Sequence, residues 1–543
     1  MTIEFGSFSF DETVLFRQFR NDLKDDWFPD PFNFKDMIEG QLVSEAITRN
    51  FELHHGQYQP TPGQIYNIPK PNYTLRYGIE FGIADRVFYH GTTSFLVPYF
   101  DPLIPWFVFS HRGAREQKDR YLFRRGIPAW RDFIGSVRST LKDSAFLLST
   151  DLTNYFENIN MQKLRDTFLD LLPRVDAPAS VKGVIRVHVE TLFRCLQSWT
   201  SEGTIGLPQN RDASSFLANI YMSPVDRQMQ EKGYAYFRYM DDIKIVCSDE
   251  FETRRALKDL ILALRDRGLA VNSKKTILCA ATETEKVSEC LDVGVPEVEQ
   301  LDALWSTRSQ KVIRRTFPQL QALTRSLLGS NKVDSREFRY CITRLALLGA
   351  CDEFAVPEEY FAPITELVIS KIPHFPAATD QFVKYLLAVP LPIESATRIV
   401  EFLADTRKSF YTWQNFRLWS LLTQKNFRDP AALKHAAQMV ELQDDNATRA
   451  GATFYAGALG GVPERELIGH RFPSLASFLG QRTAIIATHE LPFRPVVEQY
   501  VKPHIRDDLQ NVYRHMRPIK GTYFSPLERV SITKIIDSER DYD

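Results

Sequence analysis

Two adjacent carboxylates, Asp241 and Asp242, sit in the middle of Tyr236-Phe237-Arg238-Tyr239-Met240-Asp241-Asp242-Ile243-Lys244-Ile245-Val246-Cys247. The flanking residues are aromatic and β-branched, so the stretch is expected to form two short strands with the acids at the bend. Carboxylates side by side repel, and keeping both ionised requires a cation. Hard oxygen ligands on a tight turn suit Mg²⁺ or Mn²⁺. Asp is also a common turn former, so the pair taken alone fits a solvated hairpin tip as well.

A third carboxylate gives the pair company. Residues 144–151 form a short apolar run that ends on Asp151, followed by Leu152-Thr153-Asn154-Tyr155-Phe156-Glu157. A strand ending on Asp before a turn and a helix sets that carboxylate at a sheet edge or cleft. If this strand neighbours the Asp241-Asp242 hairpin, the three acids can hold two divalent ions. Two ions about 3.5–4 Å apart are a standard device for in-line nucleotidyl transfer.

The elements that must position these acids follow from periodicity. Leu164, Phe168, Leu171 and Leu172, then Ile185, Val189, Leu192 and Leu196, recur at helical spacing between about 161 and 200. Gly206-Leu207-Pro208-Gln209-Asn210-Arg211 reads as a turn, with Asp212 a candidate N-cap. Phe216, Leu217, Ile220 and Tyr221 then mark a helix expected to bend near Pro224. Leu257, Leu260, Ile261 and Leu264 mark another, with Gly268 at the C′ position. A strand over 269–272, a basic turn Ser273-Lys274-Lys275-Thr276 and a strand over 277–279 complete the unit. The order implies an α+β sheet with helices on one face.

Beyond about residue 290 the strand signals stop. Helical segments of about three turns follow one another to the end, with prolines such as Pro373, Pro390 and Pro430 at their junctions. This pattern suggests a helical, repeat-like domain, although no strict period recurs.

Composition sets the outer limits. The chain has 543 residues, 44% of them hydrophobic and 25% charged, and is expected to divide into domains as an ordinary globular protein. No apolar run approaches a membrane span and no secretion signal opens the chain, which points to a cytoplasmic protein without membrane contact. The six cysteines show no C-x-x-C spacing, so zinc is not expected and they read as reduced core residues. A formal net charge of -1 does not announce nucleic-acid binding. Locally the picture differs: Arg112, Arg115, Lys118, Arg120, Arg124, Arg125, Arg131 and Arg138 interleave with Tyr121, Phe123, Trp130 and Phe133. That mixture suits a groove following phosphates and stacking bases, or equally a solvated amphipathic face.

Tyr239-Met240-Asp241-Asp242 resembles the catalytic motif of reverse transcriptases. Asp151 to Phe156, Leu207-Pro208-Gln209 with Ser214, and Gly268 to Thr276 resemble that family's other palm motifs, in its order. The resemblance implies a right-hand polymerase fold: an N-terminal helical segment over 1–60, fingers over 61–140, and a palm over 141–288 with a helical insertion at about 160–203. An α-helical, HEAT-like domain over 289–543 would follow. That helical half, with Phe109-Ser110-His111-Arg112 and Tyr411-Thr412-Trp413-Gln414, is most similar to the bacterial abortive-infection (AbiK-like) and related phage-defence enzymes.

By the same resemblance, Asp151 and Asp241 would bind two Mg²⁺ (or Mn²⁺) ions with Asp242 in support, and Leu152 belongs to the metal and substrate site. Phe156 would be the steric gate favouring dNTPs over ribonucleotides. Gln209 and Ser214 would face the incoming nucleotide or template, Lys70 and Arg76 would clamp its triphosphate, and Lys275 would give a proton to the departing pyrophosphate. One departure stands out: the family commonly has Gly after Leu-Pro-Gln, whereas this chain has Asn210 and Arg211, whose side chains are expected to intrude on the template space.

The activity implied is DNA synthesis from dNTPs in antiphage defence. It would either extend a protein hydroxyl without a template, which would link DNA covalently to one of the 21 tyrosines, or copy a non-coding RNA into cDNA. Family resemblance also implies a homo-oligomer, trimeric or hexameric. A reading of another class is an inert scaffold that binds nucleic acid or a phage protein.

Overall fold

A computed structural model describes residues 2–5, 8–23, 26–39, 42–114, 122–143, 145–200, 203–291, 295–351, 353–354, 357–442, 444–489, 491, 494–510, 512–513 and 529–535. Arg115, Lys118, Arg120 and Tyr121 of the basic-aromatic segment lie outside them.

The chain opens on a hairpin of β1 (Thr2–Phe5) and β2 (Phe8–Asp11), not on helices alone. Helices α1 (Glu12–Asp22), α2 (Lys35–Glu39) and α3 (Leu42–Leu53) follow. A second hairpin pairs β3 (Gln64–Pro69) with β4 (Leu75–Glu80) across a turn in which Asn72 and Tyr73 take positive φ. Next come α4 (Ile83–Phe100) and α5 (Gly126–Thr140).

The central sheet has four strands in the order β6-β7-β5-β8, every pair antiparallel. Its members are β5 (Phe146–Thr150), β6 (Ala235–Tyr239), β7 (Asp242–Cys247) and β8 (Ile277–Ala280). Between β5 and β6 run α6 (Met161–Leu171), α7 (Ala179–Trp199) and α8 (Asp212–Glu231); α9 (Glu250–Arg267) links β7 to β8. Residues 269–272 do not form the expected strand, and only Val271 bridges back to Leu152. Three apolar residues and Asn272 at a sheet corner make too short a ladder, and the turn of Ser273–Lys275 takes over at once. Helix α8 runs on through Pro224, and its N-cap is Arg211. Asp212 instead accepts a hydrogen bond from Gln18 Nε2 at 2.6 Å. Gly268 has the expected left-handed φ of 78° at the end of α9.

The remainder is helical. It contains α10 (Thr284–Cys290), α11 (Pro296–Ser306), α12 (Gln310–Arg315), α13 (Phe317–Gly329), α14 (Arg336–Gly349), α15 (Ala362–Lys371), α16 (Thr379–Ala388) and α17 (Ile393–Ala404). Then follow α18 (Thr412–Gln424), α19 (Pro430–Val440), α20 (Ala447–Leu459), α21 (Val462–Arg471) and α22 (Phe478–Thr488). Helices α14, α16, α18, α20 and α22 pack each on the next in one layer, while α13, α15 and α17 stack in a second. Gly451 allows α20 to approach α18 closely, since a Cβ there would lie 2.8 Å from the Phe416 backbone. All six cysteines are buried and unpaired, and no described helix is long and apolar enough to cross a membrane.

The N-terminal segment ties the two halves together with buried charge. Arg482 of α22 pairs with Asp30 at 2.8 Å and Asp36 at 2.7 Å. Further back, Asp22 and Asp26 hold Arg86 of α4 at 3.0 and 2.7 Å. Trp413 of α18 donates its indole N–H to the Trp27 carbonyl at 2.9 Å.

Candidate active site

The sheet register brings the acids together. Thr150 of β5 stands opposite Ile243 of β7, so one step further in the same register lie Asp151 and Asp242. Tyr239 faces Asp242 across the β6–β7 hairpin, which leaves Met240 and Asp241 as its two loop residues. Met240 has φ 54°, a left-handed conformation that costs a side-chain-bearing residue energy and must be enforced by its surroundings.

The enforcement comes from beneath. Arg238 is fully buried and forks onto Asp226 of α8 at 2.8 and 2.7 Å; its Nη1 donates to Asn219 at 2.9 Å and to the Met240 carbonyl at 3.0 Å. On the other side Tyr239 packs edge-on against Trp130 of α5 and donates its hydroxyl to the Gly126 carbonyl at 3.2 Å.

The carboxyls of Asp241 and Asp151 lie close enough to act on each other's charge. Burial pushes Asp241 up to about 7, with the charges of Asp151 and Asp242 adding to the rise. Asp151 is buried; one carboxylate oxygen accepts from Lys275, and the other, Oδ1, has no hydrogen-bond partner among the described residues. The Asp151 bond is the chief cause of a raised Lys275 pKa. Lys244 lies 3.7 Å from Asp242 and donates to Ser149 at 2.7 Å.

Among the described residues no three His, Cys, Asp or Glu side chains form a ready-made cation cage. The donor chemistry nevertheless fits hard divalent ions: crowded, desolvated carboxylates, one with an orphaned buried oxygen, gain most from added positive charge. Asp151, Asp241 and Asp242 would hold such ions. Leu152 is buried and occupies the non-hydrogen-bonded position of its bridge to Val271, so its contribution would come from the main chain.

The other expected site residues fall into two groups. Phe156 is partly exposed near the end of β5, with its carbonyl accepting from Leu207 N at 2.9 Å; this links the two motifs. Gln209 donates to Glu157 at 3.2 Å, and Lys70 approaches Glu157 at 3.7 Å and Asn154 at 3.3 Å. Glu157, to which sequence reasoning gave no role, is thus the hub of this side. It also accepts from the Tyr77 backbone of β4 at 3.3 Å. Its place four residues before the start of α6 carries no signal of that kind. Ser214 is different: it is fully buried, and its hydroxyl bonds Tyr89 of α4 at 2.8 Å, inside the helix interface.

The structure corrects the expectation for Arg211. Its side chain does not enter the template space but turns inward, to Glu80 at 2.9 Å, Asp26 at 3.4 Å and Asp22 at 3.5 Å. Three buried acids offer a guanidinium far more than solvent at a cleft edge. Asn210 does stay exposed, at φ 60°, the left-handed turn that Asn tolerates.

A sheet carrying acids at one strand end and on an adjacent hairpin, with helices packed behind, is an α+β arrangement of the kind the sequence led one to expect. Residues 110–333, less than half of the chain, match the family model for reverse transcriptase (RNA-dependent DNA polymerase). The chain is distantly similar to the retron Ec86 reverse transcriptase of Escherichia coli, at 27% identity over 149 residues. That match covers 26% of this chain and 41% of the relative, so the chain spans about two fifths of the relative's length. Among solved structures it is similar to the apo telomerase of Candida tropicalis, with TM-score 0.31 and 13% identity over 69% of this chain and 73% of that one. A form truncated at its C-terminal domain gives TM-score 0.28 and 13% identity over 44% and 55%. Superpositions this loose define no shared architecture.

Proposed function

We propose that the chain is a DNA polymerase of the reverse-transcriptase class that adds dNTPs to a hydroxyl and acts in antiphage, abortive-infection defence. The observation that carries the reading is the register of neighbouring strands that sets Asp151 opposite Asp242, with Asp241 on the adjoining hairpin loop. Divalent ions bound there would lower the pKa of the attacking hydroxyl and neutralise the leaving pyrophosphate. The chain's own residues do the rest. Arg76 and Lys70 hold the triphosphate side, Phe156 lies where a ribose 2′-hydroxyl would clash, and Lys275 keeps a proton within reach of the leaving group.

We take residues 61–140 as fingers, 141–288 as palm, and 289–543 as a HEAT-like domain, on the two-layer helix stacking. A groove of about 970 Å³ runs between α5 and α14 past Tyr239, lined by Arg131, Arg138, Arg336, Trp130 and Tyr340. Guanidiniums among aromatic faces suit a strand of nucleic acid. Asn210 at the template turn favours synthesis that does not depend on a template, with a protein tyrosine as primer. The likeness to a retron enzyme favours a second reading, the copying of a non-coding RNA.

The test uses purified full-length protein, dNTPs and Mg²⁺. Synthesis is expected, with a fall of about 10² or more in Asp241→Asn; equal synthesis by the variant overturns the reading. Protease treatment separates the two routes, because it frees DNA only from a protein-linked product. A scaffold would keep its defence function in Asp241→Asn, Asp242→Asn.

A further inference from the structure

A cavity of about 420 Å³ is walled in part by Arg76, which feels the charge of Asp241. Trp27, Arg76 and Asn210 line it from the polymerase half, and Arg339, Gln381 and Trp413 from the helical half. Its volume falls within the range of small-ligand sites, about 300–1,000 Å³, which is too little for a duplex.

Two guanidiniums from distant parts of the chain line it together. Arg76 lies on β4 and Arg339 on α14. Burial draws Arg76 below its ordinary pKa; Glu157 opposes this, Arg339 adds to the fall, and Asp241 opposes it. Arg76 Nε is buried without a hydrogen-bond partner among the described residues.

Two of the three acids on the cavity wall are already paired with other cations. Asp26 is taken by Arg86 and Arg211, and Asp380 by Arg417 and Lys384. Burial pushes the Asp334 carboxyl up, with Arg339 opposing. Beneath Arg76 lies the Trp27 ring, 5.5 Å from the guanidinium carbon, with Trp413 edge-on to it at 6.3 Å. Two guanidiniums lining one partly desolvated cavity gain from an anion between them, and planar guanidinium forks match phosphate oxygens.

We propose that Arg339 of the helical half completes, with Arg76, a phosphate site that holds the triphosphate of an incoming nucleotide, with Trp27 as the platform beneath. This deepens the polymerase reading and rests on it for the identity of the ligand. The helical half is then part of the nucleotide site, not an appendage to it.

Calorimetric titration of the full-length protein with inorganic triphosphate, and with each dNTP, tests the assignment. Arg339→Ala is expected to weaken both by about tenfold or more, the scale of a hydrogen bond to a charged group. Arg339→Lys should restore part of the loss, and the KM for dNTPs should rise with little change in kcat. Arg325→Ala, on exposed α13 surface, should change neither. Affinities within twofold of the parent in Arg339→Ala, in a protein that still depends on Asp241 for synthesis, would remove Arg339 and leave the polymerase reading intact. Triphosphate binding lost in Arg339→Ala, in a protein whose synthesis is indifferent to Asp241→Asn, would keep the phosphate site and remove the polymerase reading.

Discussion

Arg238 donates from the interior of the central sheet domain to the carbonyl of Met240 at 3.0 Å, and so grips the turn that presents Asp241. The same guanidinium is forked onto Asp226, with which it shares complete burial. Breaking such a pair leaves a charge buried without compensation, at about 3–5 kcal/mol. Arg238→Met is therefore expected to lower the Tm strongly. Arg238→Lys, which keeps the charge but loses the fork, should lower kcat more than it alters the KM for dNTPs. Thermal denaturation and steady-state kinetics check both; unchanged kcat in a folded Arg238→Lys would show that the turn holds itself.

Asp241 carries a carboxyl raised to about 7. A carboxylate whose folded pKa lies above its unfolded one costs stability as pH rises. The cost is absent below about pH 4, where both states are protonated, and grows until about pH 7. Without divalent ions, Asp241→Asn is expected to be more stable than the parent at pH 8, on the order of 1–3 kcal/mol, and equal to it at pH 4. Mg²⁺ needs the ionised form, so its affinity should rise from pH 6 to pH 8 with release of a proton. Titration in buffers of different ionisation enthalpy measures that proton, and pH-independent affinity would contradict the assignment.

Phe156 is half-buried beside Tyr155, its ring 5.3 Å away. If it gates the sugar, Phe156→Val should raise ribonucleotide incorporation relative to dNTPs, while Asp241-dependent synthesis continues. Competition between rNTPs and dNTPs reads the ratio, and no change in it would mark Phe156 as packing only.

Asn210 occupies φ 60°, which glycine adopts freely, so Asn210→Gly should fold like the parent. Removing the side chain from the turn is expected to change template dependence and the sequence of the product. Sequencing the DNA made with and without added RNA checks this; identical products would release Asn210 from any part in template choice.

Arg482 lies between Asp30 and Asp36, all three nearly inaccessible to solvent. Arg482→Met should destabilise the protein by about 3–5 kcal/mol and expose the junction of N-terminal segment and helical half to limited proteolysis. An unchanged digestion pattern and Tm would show that apolar packing, such as Phe28 on Phe416 at 5.1 Å, suffices to hold them.

Much of this was legible in the chain by itself. Asp241 and Asp242 at a bend between β-branched runs, Asp151 at the end of an apolar strand, Gly268 past a helix, and proline-marked helices after residue 290 are local patterns, set by backbone propensity and side-chain period. What only the tertiary structure decided depends on which distant segments meet. Arg211 looked like a cleft residue until Asp22, Asp26 and Glu80 drew it inward, and Ser214 faced a nucleotide until Tyr89 claimed its hydroxyl. Glu157 as a hub, and Arg339 opposite Arg76, had no local sign at all. Such pairings arise when burial forces charged and polar groups to find partners, and those partners are set by chain reversal hundreds of residues away, beyond the reach of any sequence window.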